Sequence, residues 1–88
     1  MKTKWEKAKQ RFTTDTAFYG VVDSNNHWID SANSFALACQ WAEYDAGEYE
    51  ARTYEERLAW METEGVKLGY SIIHSDHLEL MVNAGLVK

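Results

Sequence analysis

Residues 33–47, "NSFALACQWAEYDAG", constrain the fold more than any other stretch of this chain. Phe35, Ala38, Cys39, Ala42 and Ala46 recur at helical spacing and form one apolar stripe; Leu37, Trp41 and Tyr44 form a second beside it. A helix apolar over so much of its circumference needs cover on more than one side, which places it at the centre of the domain. Asn33 or Ser34 can cap its start, because a short polar side chain accepts a hydrogen bond from a free N–H of the first turn. Gly47 can end it, since glycine takes the left-handed conformation at little cost.

A central helix requires partners, and 88 residues supply enough chain for one core and not for two. Four Trp, five Tyr and three Phe provide the large side chains on which a small core depends. Core needs therefore explain the aromatic richness before any binding role does. The lone Cys39 has no internal disulfide partner, so nothing points to an oxidising compartment. The start, "MKTKWEKAKQRF", is charged and lacks the apolar run of a signal peptide. No stretch approaches the ~18 apolar residues of a membrane span. These features predict a single domain over residues 1–88, soluble and cytoplasmic.

Trp5, Ala8 and Phe12 predict a short amphipathic helix over residues 2–12, its other face nearly all lysine. "TAFYGVV" and "HWID" flank the turn-forming "DSNN" and read as a β-hairpin. "TYEE" at residues 53–56 is a capping box: Thr53 takes the N–H of the third helical position and Glu56 reaches back. Tyr54, Leu58 and Met61 then form a stripe, with Trp60 beside it and Gly65 as the expected stop. Val66, Leu68, Tyr70 and Ile72 alternate like a half-buried strand, expected to join the hairpin. "SDHLELMVNAGLVK" closes the chain as a helix, with Asp76 and Glu79 as its cap pair, Leu78, Met81 and Val82 as its stripe, and Gly85 at its end. The order α-β-β-α-α-β-α predicts an α+β domain with helices packed on a three-stranded antiparallel sheet.

The chemistry-bearing residues are few. His74 and His77 have H-x-x-H spacing with Asp76 between them, yet a zinc site needs further ligands, and only His27 and Cys39 remain. Cys39 lies on an apolar stripe, where a free cysteine behaves as a small inert hydrophobe. No nucleophile elbow, phosphate-binding loop or paired-carboxylate motif is present, so neither an enzyme nor a metal or other cofactor is expected.

Charge is the stronger feature. The net charge of −5 is unevenly placed: residues 1–11 carry +4 and residues 43–64 carry −6. Within the acidic segment Tyr44, Tyr49, Tyr54 and Trp60 are interleaved with the carboxylates. Most acidic helices are solvated faces, and Glu55 and Glu56 have a structural reason to sit near a helix start. Concentrated acids with interleaved aromatics are also what a surface for docking on a basic groove requires. Glu48, Tyr49, Glu50, Tyr54, Glu55, Trp60, Glu62 and Glu64 are the candidate partner-binding residues. The expected partner is a protein with a basic surface, such as a nucleic-acid-processing complex.

Two resemblances bear on this. "HLELMVNAGLVK" resembles the "L-x-x-L-x-x-x-G-L-V" ending of winged-helix DNA-reading helices over about a dozen residues. With the basic "KTKWEKAKQR", it implies an alternative function as a small DNA-binding regulator. The helix lacks arginines or asparagines aimed at base edges, and direct nucleic-acid binding is the less favoured reading. In size and charge alone the chain resembles small phage-encoded inhibitors of host nucleases, the anti-CRISPR and anti-restriction proteins. That likeness implies a non-enzymatic inhibitor or adaptor that occupies a partner's cationic groove.

Overall fold

The "DSNN" cluster makes the turn expected of it. In a computed structural model describing residues 17–88, strands β1 (Tyr19–Val22) and β2 (Trp28–Ala32) pair antiparallel around it. Asp23 Oδ1 accepts the N–H groups of Asn25 at 2.9 Å and His27 at 3.0 Å. Asn26 takes φ 60°, a left-handed conformation that asparagine tolerates better than most residues. The ladder is irregular between Val21, opposite Asp30, and Val22, opposite Trp28, which leaves Ile29 as an extra residue on β2. The helix expected over residues 2–12 lies outside the described residues.

Strand β3 (Ser71–His74) pairs antiparallel with β1, giving the order β2-β1-β3. Helices α1 (Phe35–Ala46), α2 (Tyr54–Trp60) and α3 (Ser75–Asn83) complete the α+β fold. The central strand is buried on both faces. Val21 packs with Ala38, Cys39 and Ala42 of α1 and with Trp60 and Met61, while Val22 packs with Phe18, Trp28, Leu78 and Val87. Successive strand side chains point to opposite faces, so α1 and α2 cover one side of the sheet and α3 with the C-terminal residues covers the other. Gly20 permits the second contact, because a Cβ there would stand 2.6 Å from Leu78 Cδ2. No described helix is long and apolar enough to cross a membrane.

The expected caps hold for the first two helices. Ser34 Oγ accepts from the Leu37 N–H at 3.2 Å, and Gly47 ends α1 at φ 72°. Thr53 and Glu56 form both arms of the capping box, at 3.2 and 2.8 Å.

Three local expectations are corrected. Gly65 does not stop α2: the helix passes through a π-helical turn, Met61–Gly65, and continues to Lys67 before Gly69 at φ 90° breaks it. Gly65 is needed for packing there, since a Cβ would meet Met61 Sδ at 2.7 Å. Val66 and Leu68, expected in a strand, are therefore 62% and 44% exposed on the last helical turn and the bend after it. Their alternation also fits the end of a helix, and an established helix extends more easily than a new strand nucleates. Finally, α3 is capped by His74 rather than by Asp76 and Glu79. His74 Nδ1 accepts from the Asp76 N–H at 3.2 Å, because Ser75, bonded to Phe18 through its N–H at 2.8 Å, brings the helix start directly off the strand.

Candidate interaction surface

The site begins with a carboxylate that is not on the surface. Glu43, counted in the sequence among the acids of the charged segment, is completely buried. It follows Cys39 by four residues and precedes Ala46 by three, so helical spacing puts it on the apolar stripe. That spacing was the available sign of its burial. Such a carboxylate needs charged partners, and two arginines reach it from the following segment. Arg52 Nη1 donates to Oε1, and Arg57 Nε donates to Oε2 at 2.8 Å. Both guanidinium groups have donors left for the chain between them. Arg52 Nη1 bonds the Glu48 carbonyl at 3.0 Å and Arg57 Nη2 bonds the Glu50 carbonyl at 3.1 Å, while Arg57 Nη1 reaches Gln40 Oε1 at 3.1 Å. The planar, five-donor fork of arginine makes these divided contacts possible; a lysine could not make them. The loop between α1 and α2 is thereby fastened to a buried anion.

This arrangement changes the electrostatics of the segment. Both arginines point inward, with side chains 15% and 13% exposed, whereas Asp45, Glu48, Glu50, Glu55, Glu56, Glu62 and Glu64 are exposed. The outer surface is thus more uniformly negative than the sequence count implies. Tyr44 and Tyr49 stack on it with ring centroids 4.3 Å apart and planes within 7°, and both remain more than two-fifths exposed. The Arg57 guanidinium carbon lies 5.7 Å from the Tyr49 ring centroid, a cation–π contact that supports the stack.

Glu48, Tyr49 and Glu50 are brought together on the fastened loop, and Tyr54 and Glu55 follow on the first turn of α2. Tyr54 is 59% exposed instead of facing the core, because Arg57, three residues on, takes the inward place against Glu43. Glu56 belongs to the cap, where the Thr53 backbone N–H holds its carboxyl below the usual range. Glu62 and Glu64 lie at the far end of the helix, in its π-helical turn, and Glu64 sits 3.5 Å from Lys67. Trp60 is corrected outright. It is 6% exposed within the core cluster of α1 and α2, with the Arg52 guanidinium carbon 5.6 Å from its ring centroid, and it cannot anchor a partner from there.

A shallow groove of about 270 Å³, lined by Ile29, Asp30, Trp41, Tyr44 and Asp45, adjoins the stacked tyrosines through Tyr44. Nothing in the sequence pattern singled it out, since its walls come from β2 and the helix after it, which only the fold brings face to face. Asp45 is oriented there by the Tyr70 hydroxyl, which donates to Oδ2 at 2.6 Å. Burial, then this carboxylate, pushes the Tyr70 phenol up to about 12.

The other candidates do not assemble into a site. Among the described residues no group of three or more His, Cys, Asp or Glu gathers to hold a metal ion. His74 serves as a helix cap, His27 lies in the hairpin turn, and Cys39 is fully buried with its thiol pushed up to about 11 by burial and by the charge of Glu43. Helix α3 exposes Asp76, His77, Glu79, Leu80 and Asn83 and contains no lysine or arginine. Compared with known protein families, curated proteins and solved structures, the chain matches none.

Proposed function

We propose that this protein is a non-enzymatic, cytoplasmic interaction module that docks its acid-and-tyrosine face on a basic surface of a partner protein. The partner's surface is one that otherwise binds nucleic acid, and docking there makes the protein an inhibitor by occlusion or an adaptor. The observation that carries this reading is the inward turn of Arg52 and Arg57 onto Glu43. It removes the only two cations of residues 43–64 from the surface and leaves seven exposed carboxylates on a segment that also carries a stacked pair of tyrosines. Carboxylates of this kind set encounter rate and salt sensitivity, and an aromatic with a polar tip supplies the contact area that holds a complex.

The test uses two variants that leave the caps and the Glu43 ion pairs in place, touching the cluster only at the exposed Glu50 carboxylate, 3.7 Å from Arg52, and at the Tyr49 ring beside Arg57. Glu48, Glu50, Glu62 and Glu64 are changed together to Gln, and Tyr49→Ala is made separately. With immobilised wild type capturing a partner from host lysate, both variants stay folded and capture far less of it. Equal capture by the quadruple variant would reduce the segment to a solvated face.

A further inference from the structure

The protein places arginine on an aromatic ring beside a carboxylate twice within its own fold. Arg52 lies over Trp60 and Arg57 over Tyr49, both bonded to Glu43. The groove at residues 29–30 and 41–45 presents the same pair of chemistries, and none of its lining among the described residues is a cation. Trp41 and Tyr44 form its aromatic wall with ring centroids 5.5 Å apart, and Ile29 offers an apolar surface. Asp45 brings a carboxylate whose second oxygen has no partner among the described residues. The Trp41 indole N–H is buried and also lacks an acceptor among them. With its N–H closed to solvent, this indole can meet a ligand only through its ring, and its N–H resonance reports on that ring. The volume of about 270 Å³ falls below the ~300–1,000 Å³ of pockets for drug-sized ligands and suits one side chain.

We infer that this groove is a receptor for a single arginine side chain of the docked partner. The inference rests on the docking reading above and supplies its specificity. The guanidinium lies on the Trp41–Tyr44 wall and donates to Asp45, and the aliphatic stem runs along Ile29. Arginine is favoured over lysine because its planar group stacks on aromatic faces while still forking to a carboxylate. Continuity through Tyr44 places this arginine next to the Tyr49 stack, so one basic segment can engage both.

The experiment titrates the full-length, ¹⁵N-labelled protein with N-acetyl-arginine amide and follows its indole N–H resonances, with Trp41 assigned through Trp41→Phe. The Trp41 resonance should move saturably with a dissociation constant on the order of 1 mM, the scale of one weakly held group. The neutral citrulline counterpart should leave it in place, and Asp45→Asn should weaken the arginine response about tenfold. The Trp28 indole, already bonded to Ser31 at 2.8 Å, should stay still. An unsaturable response, equal responses to arginine and citrulline, or a stronger response to N-acetyl-lysine amide or to calcium overturns the inference. The two readings fail separately. The quadruple Gln variant leaves the groove intact and should retain the arginine response, so losing that response in wild type removes the groove without touching the capture result.

Discussion

The two faces of the sheet are built on different principles. Behind β1, Leu78, Val87, Phe18 and Trp28 make an apolar cluster whose only indole donor is satisfied by Ser31 and by the Asp30 carbonyl. In front, α1 and α2 enclose a carboxylate between two arginines, and the indole N–H groups of Trp41 and Trp60 have no partner among the described residues. Apolar packing would hold α1 against α2 at least as well, because a buried ion pair gains little over well-packed hydrophobic residues. What the ion cluster adds is position. It fixes the carbonyls of Glu48 and Glu50, and so determines where Tyr49 and the neighbouring acids point. Both faces hold the sheet by apolar packing, and the front face adds a fixed geometry, which is why the docking surface is assigned to the front.

Removing one member of the front cluster should have the largest effect. Glu43→Ala leaves two guanidinium groups facing each other in the core, and Arg57→Ala leaves the carboxylate underpaired. Each should lower stability by about 3–5 kcal/mol in urea unfolding. A loss below 1 kcal/mol would show that the cluster is hydrated and erase the contrast between the faces. On the rear face, Leu78→Ala should cost about 2–5 kcal/mol through lost burial and a cavity. It should leave partner capture unchanged at temperatures where the variant is folded. Gly20→Ala pushes into the same leucine and should cost about 1–3 kcal/mol by overpacking. Thr53→Ala should cost about 1 kcal/mol, since it frees an N–H at the start of α2.

The smallest expected effect is a difference in alkaline titration. The Tyr70 phenol rises from 10.0 to about 12, so the folded state holds its proton more tightly than the unfolded chain does. Its contribution is complete below pH ~10 and is lost as pH rises from there through the folded value. Tyr70→Phe should therefore show a shallower fall in stability between pH 10 and 12 than wild type. Parallel curves would mean that in solution the phenol is neither shielded from water nor bonded to Asp45.

Much of this was legible in the residues, and the failures have physical causes. Caps and turns are local, so "DSNN", the "TYEE" box, Gly47 and Gly85 could be read from a few neighbours. Gly65 and the Val66–Leu68 alternation misled because a π-helical turn depends on packing of Met61 and Trp60 that no short window contains. His74 displaced Asp76 as a cap because the ladder to β1 runs on through Ser75, a long-range constraint. In the candidate surface, composition identified Glu48, Tyr49, Glu50, Tyr54 and Glu55 as acids and aromatics, and all are exposed. Composition alone could not separate them from Glu43, whose spacing from Cys39 and Ala46 marks it as inward, or from Trp60, whose burial depends on how α1 and α2 cross.

The central claim is that the front face works by charge and by a tyrosine anchor, and binding kinetics with the captured partner test it most directly. Association and dissociation rates are measured for wild type, the quadruple Gln variant and Tyr49→Ala across a series of salt concentrations. Wild-type association should slow steeply with salt, while the Gln variant should start slow and vary little, because steering by exposed charge is screened over about 10 Å at 0.1 M. Tyr49→Ala should associate at nearly the wild-type rate and dissociate faster. Identical association rates and salt dependence for wild type and the Gln variant would contradict the account.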